Sequence, residues 1–272
     1  MMDSWVDGQP ADALSLKDRG LAYGDGLFET IAVRRGQPLL LDRHLSRLMD
    51  GCLRLRIATD PDLVRDELVA YAAMLGGGVL KLILTRGDGL RGYAADPLAQ
   101  GRRILQGSAA PAYPVDNAEQ GIRLFPCVTR LSRQPLLAGL KHLNRLEQVI
   151  ARSEWQDTGH AEGLMLDQAG RVIEGVFSNL FLVRDGVLIT ADLKRCGVAG
   201  VMRAELLFQA ESSGIPTQVT DITLEQLQWA DEVFVCNSVY GIWPVRAYAA
   251  LSWPVGPLTR KLQTIARALL DA

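Results

Sequence analysis

The chain has 272 residues, of which 48% are hydrophobic, and its 29 basic and 31 acidic side chains give a net charge of −2. This content supports a sizeable core and excludes a disordered chain, while the near-neutral charge argues against a nucleic-acid binder. No apolar run approaches the roughly 20 residues that span a bilayer, and residues 1–10 lack the apolar stretch of a signal peptide, so we expect a soluble, cytoplasmic protein.

The first half of the chain predicts two helices followed by two strands. Residues 41–57 carry apolar side chains at helical spacing, with Asp42 as a possible N-cap. Asp60 and the proline after it predict the start of a second helix, because an acid suits the cap and proline suits the first helical position. Residues 79–85 and 103–108 have the β-rich composition of strands.

The second half mixes strands and helices without a strict alternation. Strands are predicted over 121–130 and 232–236, hairpins over 164–173 and 179–190, and helices over 144–155, 201–213 and 258–270. Such a mixture favours an α+β fold, or an irregular α/β fold, over a doubly wound parallel sheet.

Residues 111–118 contain two prolines and predict a linker, because proline cannot continue a helix or a central strand. We therefore expect a smaller N-terminal α/β domain over residues 1–110. A larger C-terminal domain is expected over residues 119–272, and it carries Lys141.

Cysteine and histidine usage gives little support for a disulfide framework or a metal site. Cys52, Cys127, Cys196 and Cys236 are far apart, which favours free thiols in a reducing compartment. The three histidines form no local cluster with cysteines or carboxylates, so we expect no transition-metal site built by the protein.

Lys141 and Glu174 are the residues whose surroundings suggest chemistry. Lys141 follows a proline-containing loop and has small or apolar neighbours, so desolvation could favour a neutral, nucleophilic amine. A lysine that extends to solvent is the alternative, and this segment alone favours it. Glu174 lies in an apolar, strand-like region and needs a partner there, either an arginine elsewhere in the fold or a ligand's protonated ring nitrogen.

Two further segments could hold an anion or a polar ligand. Val201 and Met202 follow Gly200 at a predicted helix start, where backbone N–H groups and the helix dipole can bind a phosphate. Asn237 and Ser238 follow a predicted strand, at the end where such folds usually bind ligands.

Six ordered blocks give the chain a family resemblance. They are residues 18–30, 44–48, the loop around Lys141, Glu174 with residues 178–181, residues 200–203 and residues 230–238. Together they resemble the fold-type IV pyridoxal-phosphate enzymes, which include branched-chain and D-amino-acid aminotransferases and aminodeoxychorismate lyase. The resemblance implies a small α/β domain, a larger barrel-like domain, a pyridoxal 5'-phosphate cofactor and a homodimer.

The resemblance also implies roles for individual residues. Lys141 would be the Schiff-base lysine and would transfer protons, and Glu174 would pair with the pyridinium nitrogen of the cofactor. Arg47 would bind the cofactor phosphate, although a solvated surface cation is the alternative outside this family pattern. The phosphate site would be completed by backbone groups of Val201 and Met202 together with Asn237 and Ser238.

Three segments are similar to the lyase branch of this family: residues 141–149, 79–93 and 236–245. Leu146 occupies the position of a tyrosine in the branched-chain enzymes, and Phe28 that of a tyrosine in the D-amino-acid enzymes. The implied activity is a lyase that converts 4-amino-4-deoxychorismate to 4-aminobenzoate and pyruvate in folate biosynthesis. A D- or branched-chain-type transaminase on the same fold is one alternative, and a non-catalytic cofactor-binding protein is another.

A substrate with two carboxylates needs cationic groups in its pocket. Arg91 is the first choice and Arg86 the second, with Thr30 and Tyr93 as weaker candidates for orienting the substrate. Each of these side chains has a structural alternative: Arg86 could brace its loop, and Tyr93 could only pack against it.

Overall fold

The computed structural model describes residues 4–89, 91–96 and 98–271. Contacts divide the chain into two compact units. The first unit is the chain up to Pro111 together with Leu140–Asn144 and the chain end from Leu270, and the second is Ala112–Gly139 with Arg145–Leu269.

The first unit is a six-stranded sheet in the order β2-β1-β6-β5-β3-β4 with three helices. Its strands are β1 (Trp5–Val6), β2 (Gln9–Pro10), β3 (Gly26–Arg34), β4 (Gln37–Pro38), β5 (Gly78–Thr85) and β6 (Arg102–Ser108), and its helices are α1 (Arg19–Tyr23), α2 (Leu41–Leu55) and α3 (Pro61–Leu75). Its core includes Ile31 and Leu80 from the sheet and Leu48 and Tyr71 from the helices, all at most 1% exposed.

The helix starts of the first unit match the predictions only in part. Asp60 caps α3 as predicted, since its carboxylate accepts hydrogen bonds from the two backbone N–H groups that follow Pro61. The predicted cap of α2 is wrong. Leu40 precedes that helix in a left-handed conformation without a side-chain cap, and Asp42 lies in the first turn, where it pairs with Arg65.

The second unit contains nine strands and five helices among the described residues. Its strands are β7 (Ile122–Leu131), β8 (Glu162–Asp167), β9 (Val172–Gly175), β10 (Asn179–Arg184), β11 (Val187–Ala191), β12 (Thr217–Thr220), β13 (Glu232–Asn237), β14 (Gly241–Tyr248) and β15 (Leu251–Ser252). Its helices are α4 (Asp116–Glu119), α5 (Leu146–Ser153), α6 (Val201–Ser212), α7 (Leu224–Gln228) and α8 (Pro257–Leu270).

Six of these strands close into a barrel. The sheet runs β10-β13-β14-β7-β8-β9, and β9 pairs with β10 through the single residue pair Glu174 and Asn179. The hydrophobic core of this unit includes Met165, Leu180 and Val235, each fully buried. The predicted α+β class, with a small domain and a larger barrel-like one, is confirmed.

The segment that carries Lys141 groups by its contacts with β3 of the first unit. Segment Leu140–Asn144 belongs by its contacts to the first unit rather than to the C-terminal one. The reason is backbone pairing with β3, because the Phe28 N–H donates to the Lys141 carbonyl at 2.9 Å and the Leu143 N–H donates to the Gly26 carbonyl at 3.0 Å.

All four cysteines are free and buried. Within the described ranges, no helix combines the length and the hydropathy that crossing a bilayer requires.

Candidate functional site

The Lys141 side chain lies against an aromatic ring of the first unit. Its Nζ atom is 4.3 Å from the centroid of the Phe28 ring, and the Nζ atom of Lys81 is 5.6 Å from the same ring. A backbone bridge between Leu27 and His142 fixes the segment that carries Lys141 beside β3. The backbone that carries the amine is therefore fixed by pairing with β3. The contact between Nζ and the Phe28 ring is a cation–π arrangement.

Arg47 is held by a buried carboxylate. Its Nε atom donates to Glu29 Oε1 at 2.8 Å and its Nη2 atom donates to Glu29 Oε2, which gives a bidentate pair. The Arg47 side chain is only 12% exposed. The structure therefore excludes the solvated-cation alternative for Arg47, and the predicted phosphate role stays a prediction.

His44, one turn before Arg47 in α2, binds the same carboxylate. Its Nδ1 atom is 2.6 Å from Glu29 Oε2, and its buried Nε2 atom has no hydrogen-bond partner within the described part of the chain. Burial lowers the pKa of His44 against the raising effect of Glu29. A neutral imidazole follows, with Nδ1–H donating to Glu29.

Glu29 stays ionised although it is buried. Burial raises the pKa of its carboxyl, but the charge of Arg47 and the hydrogen bond from His44 outweigh that effect and lower the pKa to about 2. The cluster of Glu29, His44 and Arg47 therefore fixes a guanidinium between β3 and α2.

The loop that carries the predicted substrate residues is anchored by a buried cation. The Arg19 guanidinium donates to the backbone carbonyls of Gly92, Tyr93 and Ala94 at 2.9–3.3 Å, and its Nε atom donates to Asp25 at 2.9 Å. Arg19 itself is 4% exposed. Three successive carbonyls on one guanidinium define the backbone path of this loop.

Arg86 braces the neighbouring turn. It donates through Nε and Nη2 to the Asp25 carboxylate, and through Nη1 and Nη2 to the carbonyls of Arg56 and Leu55. All three nitrogens of its guanidinium bind the chain itself. This arrangement supports the bracing alternative for Arg86 over the predicted contact with substrate.

The other predicted substrate residues differ in exposure. Arg91 is exposed, and Tyr93 is 87% exposed with its ring 5.4 Å from that of Tyr23. Thr30 is half-buried on β3, on the same side of the strand as Phe28. Of the two predicted arginines, Arg91 is therefore the one that is exposed enough to bind a substrate.

Glu174 lies at the point where the barrel closes. Its Oε2 atom accepts a hydrogen bond from the Val198 N–H at 2.8 Å and from Asn179 Nδ2 at 3.4 Å. The residue is 3% exposed. These neutral donors hold the carboxylate at the barrel end, which suits a partner for a protonated ring nitrogen.

The start of α6 forms a cradle beside this carboxylate. Gly200 precedes the helix without a side-chain cap, and the N–H groups of a first helical turn have no acceptor within the helix. A Cβ atom on Gly200 would lie 2.0 Å from Asn179 Oδ1, and one on Gly197 would lie 2.8 Å from Ile173. Glycine is therefore needed at both positions. Val201 and Met202, predicted to bind phosphate through their backbone, are the first two residues of this helix.

Asn237 has a structural task in the turn between β13 and β14. Its Oδ1 atom accepts hydrogen bonds from the backbone N–H groups of Val239 and Tyr240, and its Nδ2 atom donates to the Phe177 carbonyl at 3.3 Å. These bonds use both ends of the amide, so the predicted phosphate contact stays a prediction. Ser238 is half-buried in the same turn.

Sequence reasoning missed two buried carboxylates, Glu29 in the first unit and Glu162 in the second. Glu29 lies on the same face of β3 as Leu27, Ile31 and Val33, and all four are at most 3% exposed. That period of two was visible in the sequence and indicated a buried charge. Glu162, which precedes the apolar run of β8, is completely buried and carried a weaker signal.

Comparison with known proteins gives consistent matches over most of the chain. The family model described as amino-transferase class IV matches residues 26–248. An aminodeoxychorismate lyase of Vibrio harveyi is 39% identical over 265 residues, covering 95% of this chain and 97% of that protein. A D-alanine aminotransferase of Bacillus licheniformis is 27% identical, covering 93% of this chain and 90% of its own.

A solved structure gives a nearer match. The crystal structure of 4-amino-4-deoxychorismate lyase from Pseudomonas aeruginosa superposes with a TM-score of 0.97 at 64% sequence identity. The match covers 99% of this chain and 100% of the other.

Proposed function

We propose that this chain, which belongs to the amino-transferase class IV family, is a lyase that converts 4-amino-4-deoxychorismate to 4-aminobenzoate and pyruvate. Full-length similarity to two lyases of this specificity, in sequence and in structure, is the observation that carries the proposal. The activity belongs to folate biosynthesis, and pyridoxal 5'-phosphate is the cofactor.

The donor set of the described residues fits this cofactor. Lys141 supplies an amine for its aldehyde, and Arg47 and the start of α6 supply donors for a phosphate. Glu174 supplies a buried carboxylate for a ring nitrogen. When bound, the cofactor acts as an electron sink for the bond cleavage.

Lys141 performs the proton transfers. Its amine removes the ring proton next to the substrate's amino group and afterwards returns a proton to the departing enolpyruvyl carbon. Loss of the enolpyruvyl group makes the substrate ring aromatic, which drives the reaction. Glu174 would pair with the cofactor's ring nitrogen and keep it protonated, and the cradle formed by Gly197, Gly200 and the start of α6 would hold the phosphate end.

Arg91 is proposed to bind a substrate carboxylate, with Thr30 and Tyr93 orienting the ring. The exposure of Arg91 and the backbone anchoring of its loop by Arg19 support this assignment. A charged pair between guanidinium and carboxylate gives both affinity and orientation.

The active form is proposed to be a homodimer. Leu146, Val149 and Ile150 form one face of α5 and are 55–74% exposed in the single chain. An apolar helix face of this kind needs a partner, and a second copy of the chain is the one proposed. Sedimentation equilibrium should give twice the chain mass of 29.7 kDa, and Val149→Glu should shift it toward the monomer.

A cytoplasmic location is also proposed. Four free, buried cysteines in one chain suit a reducing compartment.

Product analysis tests the proposed reaction. The purified protein, loaded with cofactor, should release 4-aminobenzoate and pyruvate in equal amounts from 4-amino-4-deoxychorismate, and Lys141→Ala should abolish release. Lys81→Ala is the matched control, because Lys81 lies over the same Phe28 ring at a greater distance and should keep activity. Amino-group transfer to a 2-oxo acid without release of 4-aminobenzoate would instead indicate a transaminase.

A further inference from the structure

The barrel closes through a very short connection in the second unit. β9 ends at Gly175 and β10 begins at Asn179, so three residues separate the strands that carry Glu174 and its partner Asn179. Among the described residues, Glu174 and Asn179 form the single residue pair between these strands. The position of Glu174 therefore depends on the conformation of residues 176–178.

This turn is folded around a carboxylate. Glu162 accepts hydrogen bonds from the backbone N–H groups of Val176 at 3.0 Å and Phe177 at 3.3 Å, and from Ser178 Oγ at 2.7 Å. The N–H group of Gly163 donates a fourth bond at 2.8 Å. Successive N–H groups that converge on one anion form a nest, here with an internal side chain as the anion.

The packing leaves no freedom around this carboxylate. Glu162 has no exposed surface. A Cβ atom on Gly175 would lie 2.3 Å from Ser178 Oγ and 2.8 Å from Glu162 Oε2, so only glycine allows the turn to approach this closely. The Glu162 carboxylate thus fills the inside of the turn and determines its shape.

Among the described residues, the hydrogen-bond donors to Glu162 are all neutral. Burial raises its pKa, and the four hydrogen bonds offset this only in part, which leaves a pKa of about 7. The titratable groups that face it are Tyr113, Tyr240 and Cys127, whose pKa values are all raised. None of them changes charge near neutral pH.

We propose that Glu162 is a positioning residue that sets the turn 176–178 and, through it, holds Glu174 and Asn179 in place for the cofactor. The inference rests on the proposed cofactor role of Glu174. It adds a buried carboxylate that never touches the cofactor but controls how firmly the cofactor is bound.

Glu162→Gln in the full-length, cofactor-loaded protein tests this role. The amide keeps the size of the side chain but places an NH₂ group against N–H donors. Cofactor dissociation, followed by its near-visible absorbance, should become about tenfold faster, as expected for the loss of a charge-assisted hydrogen bond. In the wild type, dissociation should also accelerate as the pH falls through 7, and this dependence should disappear in Glu162→Gln.

Glu232→Gln is the matched control. Glu232 is also buried and accepts two backbone N–H bonds, from Leu258 and Thr259, but it pairs with Val183 at the opposite end of β10 from Asn179. It should lower the melting temperature without changing cofactor dissociation.

Three outcomes decide the question. Wild-type dissociation rates and pH dependence in Glu162→Gln would overturn the proposal, as would equal acceleration in both variants. If Glu162→Gln does not fold, Ser178→Ala, which removes one donor, should still accelerate dissociation by a smaller factor, and an unchanged rate would overturn the proposal. Failure of the wild type to release 4-aminobenzoate would count against the proposed function only, because dissociation is measured without substrate.

Discussion

Glu29 in the first unit and Glu162 in the second are the same residue type with the same complete burial, yet their pKa values shift in opposite directions. Burial raises both, but the Arg47 charge and the His44 hydrogen bond bring Glu29 to about 2, whereas neutral donors leave Glu162 at about 7. The charge of the partners, and not the depth of burial, decides whether a buried carboxyl stays ionised. One region holds a permanent charge, and the other holds a charge that can be removed near neutral pH.

Glu29→Gln should have the largest effect. The change leaves Arg47 as a buried cation without its anion, and breaking a buried ion pair in this way costs about 3–5 kcal/mol of stability. Urea unfolding at neutral pH measures the loss, and cofactor affinity should fall because Arg47 is no longer fixed.

Asp42→Asn, on the helix that carries Arg47, is the control for that variant. Its pair with Arg65 is exposed, so the expected loss is below about 1 kcal/mol. Equal losses in the two variants would contradict the distinction between the buried pair and the exposed one.

Glu174→Gln should have the next largest effect, on rate rather than on stability. A neutral amide cannot keep the cofactor nitrogen protonated, and loss of one such electrostatic contact slows catalysis by about a hundredfold. Steady-state release of 4-aminobenzoate gives the rate, and urea unfolding checks that the fold is kept. A variant with unchanged kinetics would show that Glu174 does not contact the cofactor ring.

The smallest effect is a difference in pH dependence between the two carboxylates. Since the folded pKa of Glu162 is raised, the folded state retains a proton that the unfolded state releases, and stability falls as the pH rises from about 4.5 to 7. Glu162→Gln removes this contribution. Between pH 5 and 8 the variant should therefore lose roughly 2 kcal/mol less stability than the wild type loses.

The pH dependence of stability that Glu29 contributes has the opposite sign. Its lowered pKa stabilises the fold above about pH 4.5, and that stability is lost as the pH falls toward 2. Urea midpoints at intervals of pH for the wild type and both Gln variants separate the two windows. Parallel profiles for the three proteins would contradict the opposite shifts.

The sequence predicted the elements whose local signals agree with their environment. The Asp60 cap and the hairpin that turns after Arg184 are where propensity and packing coincide. β3 and β14 were missed; Pro244, a residue type that disfavours a central strand, lies within β14. Pairing with distant strands overrides such local signals.

The site residues were predicted where they lie in family motifs, and their roles stay predictions. The helix over 144–155 was predicted, but its apolar residues Leu146, Val149 and Ile150 are exposed in the single chain. Glu29 and Glu162 were missed because a carboxylate's partners come from other elements. Only the fold shows that Arg47 pairs with Glu29 and that backbone N–H groups of the turn 176–178 bind Glu162.

The four buried cysteines can report where the protein unfolds locally. Burial raises the pKa of each thiol to about 12, so none is a reactive thiolate at neutral pH while the chain is folded. An alkylating reagent would therefore modify each one only when its surroundings open. Cys52 lies on α2 and the other three lie in the second unit, so peptide mass spectrometry after timed alkylation would show which unit unfolds first.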